Sequence, residues 1–239
     1  MNKARLYEKY RLPYAPELVD DIRRVAGDAA VVADIGAGTG QLARLFAPRC
    51  TQVYAVEPDT GMRDVAVEVL KGYPNIQVIN ACAEQITLGD DSIDLIVIGN
   101  AYHRFKAEAV YELRRILKPS GWVAIVSYLF TNHAFADQLF SQLGKIESLA
   151  ARSAQNWHKL PLEALLGDGA TQTLRYPQFF DENWEMFWGA AQSGIEAPEP
   201  HESDFARFEA INREVFQTFS VDGVIRIEYE TRVILGQIG

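Results

Sequence analysis

The chain of 239 residues is short of cysteine, histidine and basic charge, and it has no long apolar run. Its two cysteines, Cys50 and Cys82, cannot make a disulfide framework, so a reducing, cytoplasmic setting is the expectation. The four histidines (His103, His133, His158, His201) show no metal-ligand spacing with cysteine or with one another, and no metal is expected. Lys+Arg number 23 against 32 Asp+Glu, a net charge of -9. Phosphate backbones call for a basic face, so nucleic acid is not the expected partner. No stretch approaches the ~20 apolar residues of a membrane helix, and the opening MNKARLYEKYRLPY lacks an apolar signal-peptide core, so no membrane partner is expected. What remains is 48% apolar and 23% charged, an ordinary globular composition.

What is present is alternation. Apolar, β-branched runs at 29–35, 51–57, 75–81, 92–100 and 121–128 read as strands. Helical periodicity lies between them at 40–47, 59–72 and 106–117. Asp59 or Thr60 opens the second of these helices, and Lys118-Pro119 closes the third. Strands separated by helices predict right-handed βαβ units and a doubly wound, mostly parallel sheet. After Tyr128 the pattern changes. Residues 133–167, 181–193 and 203–220 read as helices of a cap, and 171–180 as a strand. Residues 224–235 alternate Ile225, Ile227 and Tyr229 with Arg226, Glu228 and Glu230, a half-buried strand expected to pair antiparallel. No flexible linker interrupts the chain, so 1–239 is expected to form a single α/β domain. Its parts are an N-terminal lid or helix (1–28), a cofactor core (29–130), a helical cap (131–170 and 181–220) and two last strands (171–180 and 222–236).

The sharpest local signal is Asp34-Ile35-Gly36-Ala37-Gly38-Thr39-Gly40, between a strand and a helix. Glycine there lets backbone approach a ligand, at the strand end where open α/β sheets bind. Glu57 ends the next strand, where a carboxylate can accept both hydroxyls of a ribose. Dinucleotide binders show G-x-G-x-x-G with the pyrophosphate on the helix N-terminus. Here the spacing is G-x-G-x-G, preceded by Asp34, whose charge would repel a pyrophosphate and suit an ammonium and a sulfonium.

With those residues in view, the sequence resembles the class I S-adenosylmethionine-dependent methyltransferases. VVADIGAGTG is similar to their first motif, and YAVEPDTGM (54–62) to their second. The resemblance implies a seven-stranded Rossmann-like sheet with one antiparallel strand. It puts Gly36, Ala37, Gly38 and Gly40 against the cofactor, Glu57 on its ribose, and Pro58 and Met62 beside the adenine. ACAEQI (81–86) is similar to the motif whose small residue and acid, here Ala83 and Glu84, meet the adenine edge, with Cys82 next to them. Asp94 and LKPSGW (117–122) also match. More narrowly, YRLPYAPELVDDI (10–22) and NAYHRF (100–105) resemble the small-molecule type 11 group that includes trans-aconitate-like methyltransferases. Leu12, Ala15 and Arg104 depart from its pattern.

The expected reaction is in-line methyl transfer to a small-molecule acceptor, leaving S-adenosylhomocysteine. It rests on alignment more than on acid–base work. In the resembled fold the end of the fourth strand faces both the methionine moiety and the acceptor, which puts Asn100, Ala101, Tyr102 and His103 at the reaction centre, with His103 either the candidate base or a residue that bonds backbone or packs on the cofactor. Tyr7 and Arg11 are candidates for a lid near the cofactor carboxylate, while Tyr10 and Tyr14 read as packing. Trp157, Trp184, Phe187 and Trp188 read as core of the cap, or as an acceptor pocket. Glu196, Glu199, Glu202 and Asp204 read as a solvated loop, and Arg114-Arg115 as helix surface. A nicotinamide-dependent oxidoreductase, a non-catalytic binder of S-adenosylmethionine and a methyltransferase for a protein substrate are the competing readings. The acceptor atom and the oligomeric state stay open.

Overall fold

A computed structural model describes residues 2–156, 158, 160–167 and 169–238. Seven strands form one sheet: β1 (Val31–Ile35), β2 (Gln52–Val56), β3 (Ile76–Ile79), β4 (Ile93–Gly99), β5 (Leu117–Phe130), β6 (Gln172–Asn183) and β7 (Val224–Gly236). Their order is β3-β2-β1-β4-β5-β7-β6. The sheet is mostly parallel, as expected; β1 pairs parallel with β2 and β4, β2 with β3, and β4 with β5. The order reverses at β1, which lies between β2 and β4, so the glycine loop leaves the sheet at its topological switch point.

The described residues pack as two compact units. The second comprises 14–128, 158, 160–167, 169–176 and 231–238. Its helices are α2 (Leu18–Ala26), α3 (Gln41–Phe46), α4 (Thr60–Val69), α5 (Ala109–Ile116) and α8 (Leu162–Leu166). Alternation along the strands divides its core between the two sheet faces. Val32, Val53, Ala55, Leu95, Val97 and Val126 pack with Leu18 and Ile22 of α2, Leu42 and Phe46 of α3 and Ala66 of α4. Ala33, Ile35, Ile96, Ile98, Val123 and Ile125 pack with Leu113 and Ile116 of α5 and Leu165 of α8. Strands covered on both faces explain the unbroken apolar runs. Asp94 accepts from the N–H groups of Ala30 and Val31 (3.1 and 2.8 Å) and from Lys118 Nζ (2.6 Å), tying β1 and β4 to β5.

Two expectations change here. Lys118-Pro119 does not end a helix, because α5 stops at Ile116 and β5 begins at Leu117. Leu117 pairs with Ile93 and Trp122 with Leu95, so the chain between is accommodated as a register irregularity, a position where a strand tolerates proline. Arg115 is no bare helix surface. Its guanidinium donates to the carbonyls of Ile86 and Leu88 and to Glu112 and Asp90, fastening the segment ahead of β4.

The first unit comprises 2–13, 129–156 and 177–230, with α1 (Lys3–Tyr10), α6 (His133–Leu143), α7 (Glu147–Asn156), α9 (Trp184–Gln192) and α10 (Phe205–Phe219). The single helical stretch expected over 133–167 is thus three helices. Gly144 follows the first, Pro161 precedes the third, and the third lies in the other unit. The strand expected at 171–180 runs on to Asn183, whose side chain caps α9. Trp184 and Trp188 stack at 5.7 Å between ring centroids, and Phe187 packs on Phe135 and Phe216. These three rings are therefore in ring-to-ring packing; Trp157 lies outside the described residues. The acidic loop is partly exposed and is tied down by specific pairs. Glu202 pairs with Arg152, Asp204 accepts from Ser148 and Glu199 pairs with Lys3. On α9, Gly189 leaves room for the Tyr10 ring, inside which a β-carbon would fall. Gly189→Ala is expected to lose about 1–3 kcal/mol by overpacking, read as a lower urea midpoint at unchanged slope.

Candidate functional site

The site grows from the carboxyl ends of β1, β2 and β4. After Ile35 the chain turns at Gly36 with φ +73°, and a β-carbon there would lie 2.5 Å from the Ala101 side chain. The glycine loop thus touches the segment that follows β4. Gly40 enters α3 from a left-handed conformation.

Hydrogen bonding organises this turn from within. Gly36 and Ala37 donate their N–H groups to the Val56 carbonyl (2.8 and 3.0 Å), and Gly40 donates to the Ala37 carbonyl (2.8 Å). Gly38 N–H donates to Glu57 Oε2 (2.8 Å), and Asp59 N–H donates to Glu57 Oε1 (2.9 Å). Ala43 N–H, in the first turn of α3, donates to Asp34 Oδ2 (3.0 Å). Five amide donors around the strand-to-helix turn therefore have acceptors inside the protein, two of them carboxylates. A pyrophosphate cradle needs such donors pointed at the ligand with uncompensated positive potential. This turn is negative instead.

Burial sharpens that charge. Asp34 is 1% exposed and Glu57 is 8% exposed. Desolvation, with the Glu57 charge adding to it and one amide opposing it, pushes the Asp34 carboxyl up to about 7. Burial also raises Glu57, against the two amides it accepts from. Asp34 Oδ1 and Thr39 Oγ1 are buried polar atoms with no hydrogen-bond partner among the described residues. A buried carboxylate oxygen left bare carries a desolvation penalty that a cationic ligand group would relieve.

The remaining walls follow. Asp59, rather than Thr60, caps α4 by accepting from Met62 N–H (2.8 Å). Arg63 donates to the carbonyls of Glu57 and Pro58, holding the segment between β2 and α4. After β3, Cys82 and Gln85 form an isolated bridge and Ala83 is buried between them. Glu84 Oε1 accepts from Lys106 N–H (2.9 Å), linking this segment to the one beyond β4. Asn100 follows β4 at φ +49°, and its Nδ2 donates to Tyr14 Oη (2.9 Å). Tyr102, His103 and Arg104 form a short turn, anchored by Tyr102 Oη on the Pro161 carbonyl and by His158 N–H on the His103 carbonyl.

Of the residues expected at the site, Asp34 to Gly40, Glu57, Pro58, Met62, Cys82 to Glu84, Asn100, Ala101 and His103 all belong to the second unit. Tyr7 and Arg11 belong to the first, on α1 and just after it, with the Arg11 guanidinium 5.1 Å from the Tyr7 ring centroid. Tyr10 packs as expected and donates to Glu185. Tyr14 does more than pack, which the sequence did not signal: its partner lies 86 residues away. The Gly99-Asn100 pair at a strand end was the clue available.

Residues 33–125 match the family described as methyltransferase domain. An uncharacterised methyltransferase of Mycobacterium tuberculosis is 36% identical over 121 residues, 50% of this chain and 48% of that protein. One from Schizosaccharomyces pombe is 32% identical over 124 residues, 50% and 48% of the two chains. The chain spans about half the length of the curated relatives it matches. Two solved structures share the fold at 20% identity. YcgJ of Bacillus subtilis has a TM-score of 0.56 over 94% of this chain and 100% of that one. A putative type II methyltransferase from Anaeromyxobacter dehalogenans has 0.59 over 95% and 98%. Strand order, the glycine loop and the buried acids thus accompany a match of residues 33–125 to the methyltransferase domain family, on a sheet whose fold is shared with solved methyltransferase structures.

Proposed function

We propose that the second unit binds S-adenosylmethionine and that the protein methylates a small-molecule acceptor. The observation that carries this reading is the negative, internally satisfied glycine turn. It disfavours a pyrophosphate and fits an uncharged nucleoside with a cationic arm. When bound, S-adenosylmethionine supplies a methyl group activated by a sulfonium. Glu57 keeps lone pairs beyond its two amide contacts for a ribose diol. Asp34 Oδ1 provides the bare oxygen for an ammonium. Pro58, Met62, Cys82, Ala83 and Glu84 border the base, while Asn100 and Ala101 border the amino-acid arm. The acidic balance of the chain favours a small acceptor over nucleic acid.

The test is calorimetric titration of ligand-stripped protein, first with S-adenosylhomocysteine and then with NADH. Binding of the first alone is the expected result, and binding of NADH alone would overturn the reading. An acceptor screen for methylated product then separates an enzyme from a non-catalytic binder. His103, on the turn after Ala101, is the residue proposed as base for acceptors that must lose a proton. His103→Ala is expected to cut turnover of such acceptors about 10²–10⁴-fold while leaving S-adenosylhomocysteine affinity within twofold. Full turnover in this variant would remove the role.

A further inference from the structure

The turn that follows β4 is unusual in its backbone and in what is packed behind it. Asn100 sits at φ +49°, a conformation that residues with a side chain seldom adopt and that asparagine tolerates best. Such turns persist where the surroundings over-determine them, and they cluster at ligand sites. Here the surroundings can be named. The Asn100 N–H donates to the Val126 carbonyl (2.8 Å), and its carboxamide Nδ2 donates to Tyr14 Oη (2.9 Å). Tyr14 is 6% exposed, with its ring centroid 6.1 Å from that of Tyr128. The next residue is fixed as well, since Ala15 N–H donates to Thr231 Oγ1 (3.2 Å).

Gly99 supplies an independent sign of the same arrangement. A β-carbon at Gly99 would fall 2.9 Å from Tyr14 Oη and 2.7 Å from Leu42 Cδ1. The strand thus ends in a glycine that admits the tyrosine hydroxyl, followed by a left-handed asparagine that binds it. One residue on, Ala101 meets the glycine loop at Gly36. Tyr14 consequently braces the backbone opposite that loop from the rear.

We infer that Tyr14 is a positioning residue: its hydroxyl holds Asn100 in the turn after β4, and so shapes the part of the site that receives the ligand's amino-acid arm. The inference rests on the cofactor reading above and deepens it. With Nδ2 committed to Tyr14, the acceptor Oδ1 is at the other side of the carboxamide, the polarity an ammonium requires. In the adenosine half of the site Glu57 accepts from Gly38 and Asp59, and Asp59 accepts from Met62, whereas Tyr14 Oη accepts from Asn100. Tyr14 should therefore matter for one half of the ligand only.

The experiment is a calorimetric comparison of S-adenosylhomocysteine with 5′-methylthioadenosine, which lacks the amino-acid arm, on the full chain. Tyr14→Phe keeps the ring and removes the hydroxyl. It is expected to weaken S-adenosylhomocysteine about tenfold and methylthioadenosine less than twofold. Asn100→Gly accepts the left-handed turn without a carboxamide and should show the same selective loss. Tyr14→Phe introduced into Asn100→Gly should then add nothing further, because the two act as one unit. Equal losses for both ligands, or an undiminished effect of Tyr14→Phe in the Asn100→Gly background, would reduce Tyr14 to packing and overturn the inference. The unsubstituted protein is the separate control. If it bound neither nucleoside, the cofactor reading itself would fall, a result unlike equal losses from a normal starting affinity.

Discussion

Gly36→Ala is expected to abolish S-adenosylhomocysteine binding, with a loss of at least a hundredfold. Two effects add. The alanine must adopt φ +73°, which costs on the order of 1 kcal/mol for a residue with a β-carbon. Its methyl must also displace the Ala101 side chain, which lies 2.5 Å from where the β-carbon would sit. Ala101, a methyl on the backbone, cannot swing away as a long side chain would. The backbone after β1 or after β4 has to move, and both line the candidate site. Gly223→Ala separates the two effects. Gly223 also has a positive φ (77°), but no atom of the described residues lies within 4 Å of its β-carbon position. It should lose about 1 kcal/mol of stability with ligand affinity unchanged. Calorimetry and thermal melts of the two variants side by side make the check. Normal affinity in Gly36→Ala would mean that the close approach has no part in binding.

Asp34→Asn is expected to do opposite things to stability and to function. The folded protein holds the Asp34 carboxyl at about 7, well above the ordinary value of 3.8. The folded state therefore keeps a proton that the unfolded chain releases near pH 4. Asp34 imposes no penalty below pH 4, and stability is lost as pH rises from there through 7. The full difference is roughly 4 kcal/mol. An amide cannot ionise, but it leaves a buried N–H₂ short of acceptors, which takes back part of the gain. Asp34→Asn should thus be about 2 kcal/mol more stable than the parent at pH 8, with the advantage gone at pH 4. For a chain of this size that is a rise of several degrees in Tm. Binding should move the other way, because the amide offers no charge to an ammonium. In the parent, S-adenosylhomocysteine affinity should fall about tenfold between pH 8 and pH 6, as the carboxyl must give up its proton to meet the ligand. In Asp34→Asn binding should be weak at both pH values. A variant that binds as well as the parent, or one less stable at pH 8, would contradict the reading of Asp34.

The α/β core was legible because strands covered on both faces must be apolar throughout, and helices that cover them must be apolar on one side. Val31–Ile35 and Ile93–Gly99 could hardly be read otherwise. The glycine turn with Asp34 and Glu57 was legible for a related reason: the residues that need special backbone and charge stand close together in sequence. What escaped notice depends on distant partners. Tyr14 looks like any half-apolar residue until Asn100 is found beside it. Arg115 looks like surface until the segment Ile86–Asp90 is seen to wrap around its guanidinium. Lys118-Pro119 misled because proline and glycine usually end elements, whereas here a break in register lets the strand pass through. The cap helices were misjudged in extent because helical periodicity continues across Gly144 and Pro161, where the backbone does not.

The interleaving of the two units along the chain has a consequence for biosynthesis. Val233 and Leu235 of β7 are fully buried in the core that covers α2 and α3, yet more than a hundred residues separate them from Tyr128, where the main run of that unit stops. At about 5–20 residues per second, translation leaves that core without its last strand for roughly 5–20 s. During that interval β5 has a bare edge and an apolar face, the surfaces from which nascent chains aggregate. Demand on chaperones should accordingly peak while residues 129–230 are being made and fall once β7 is released.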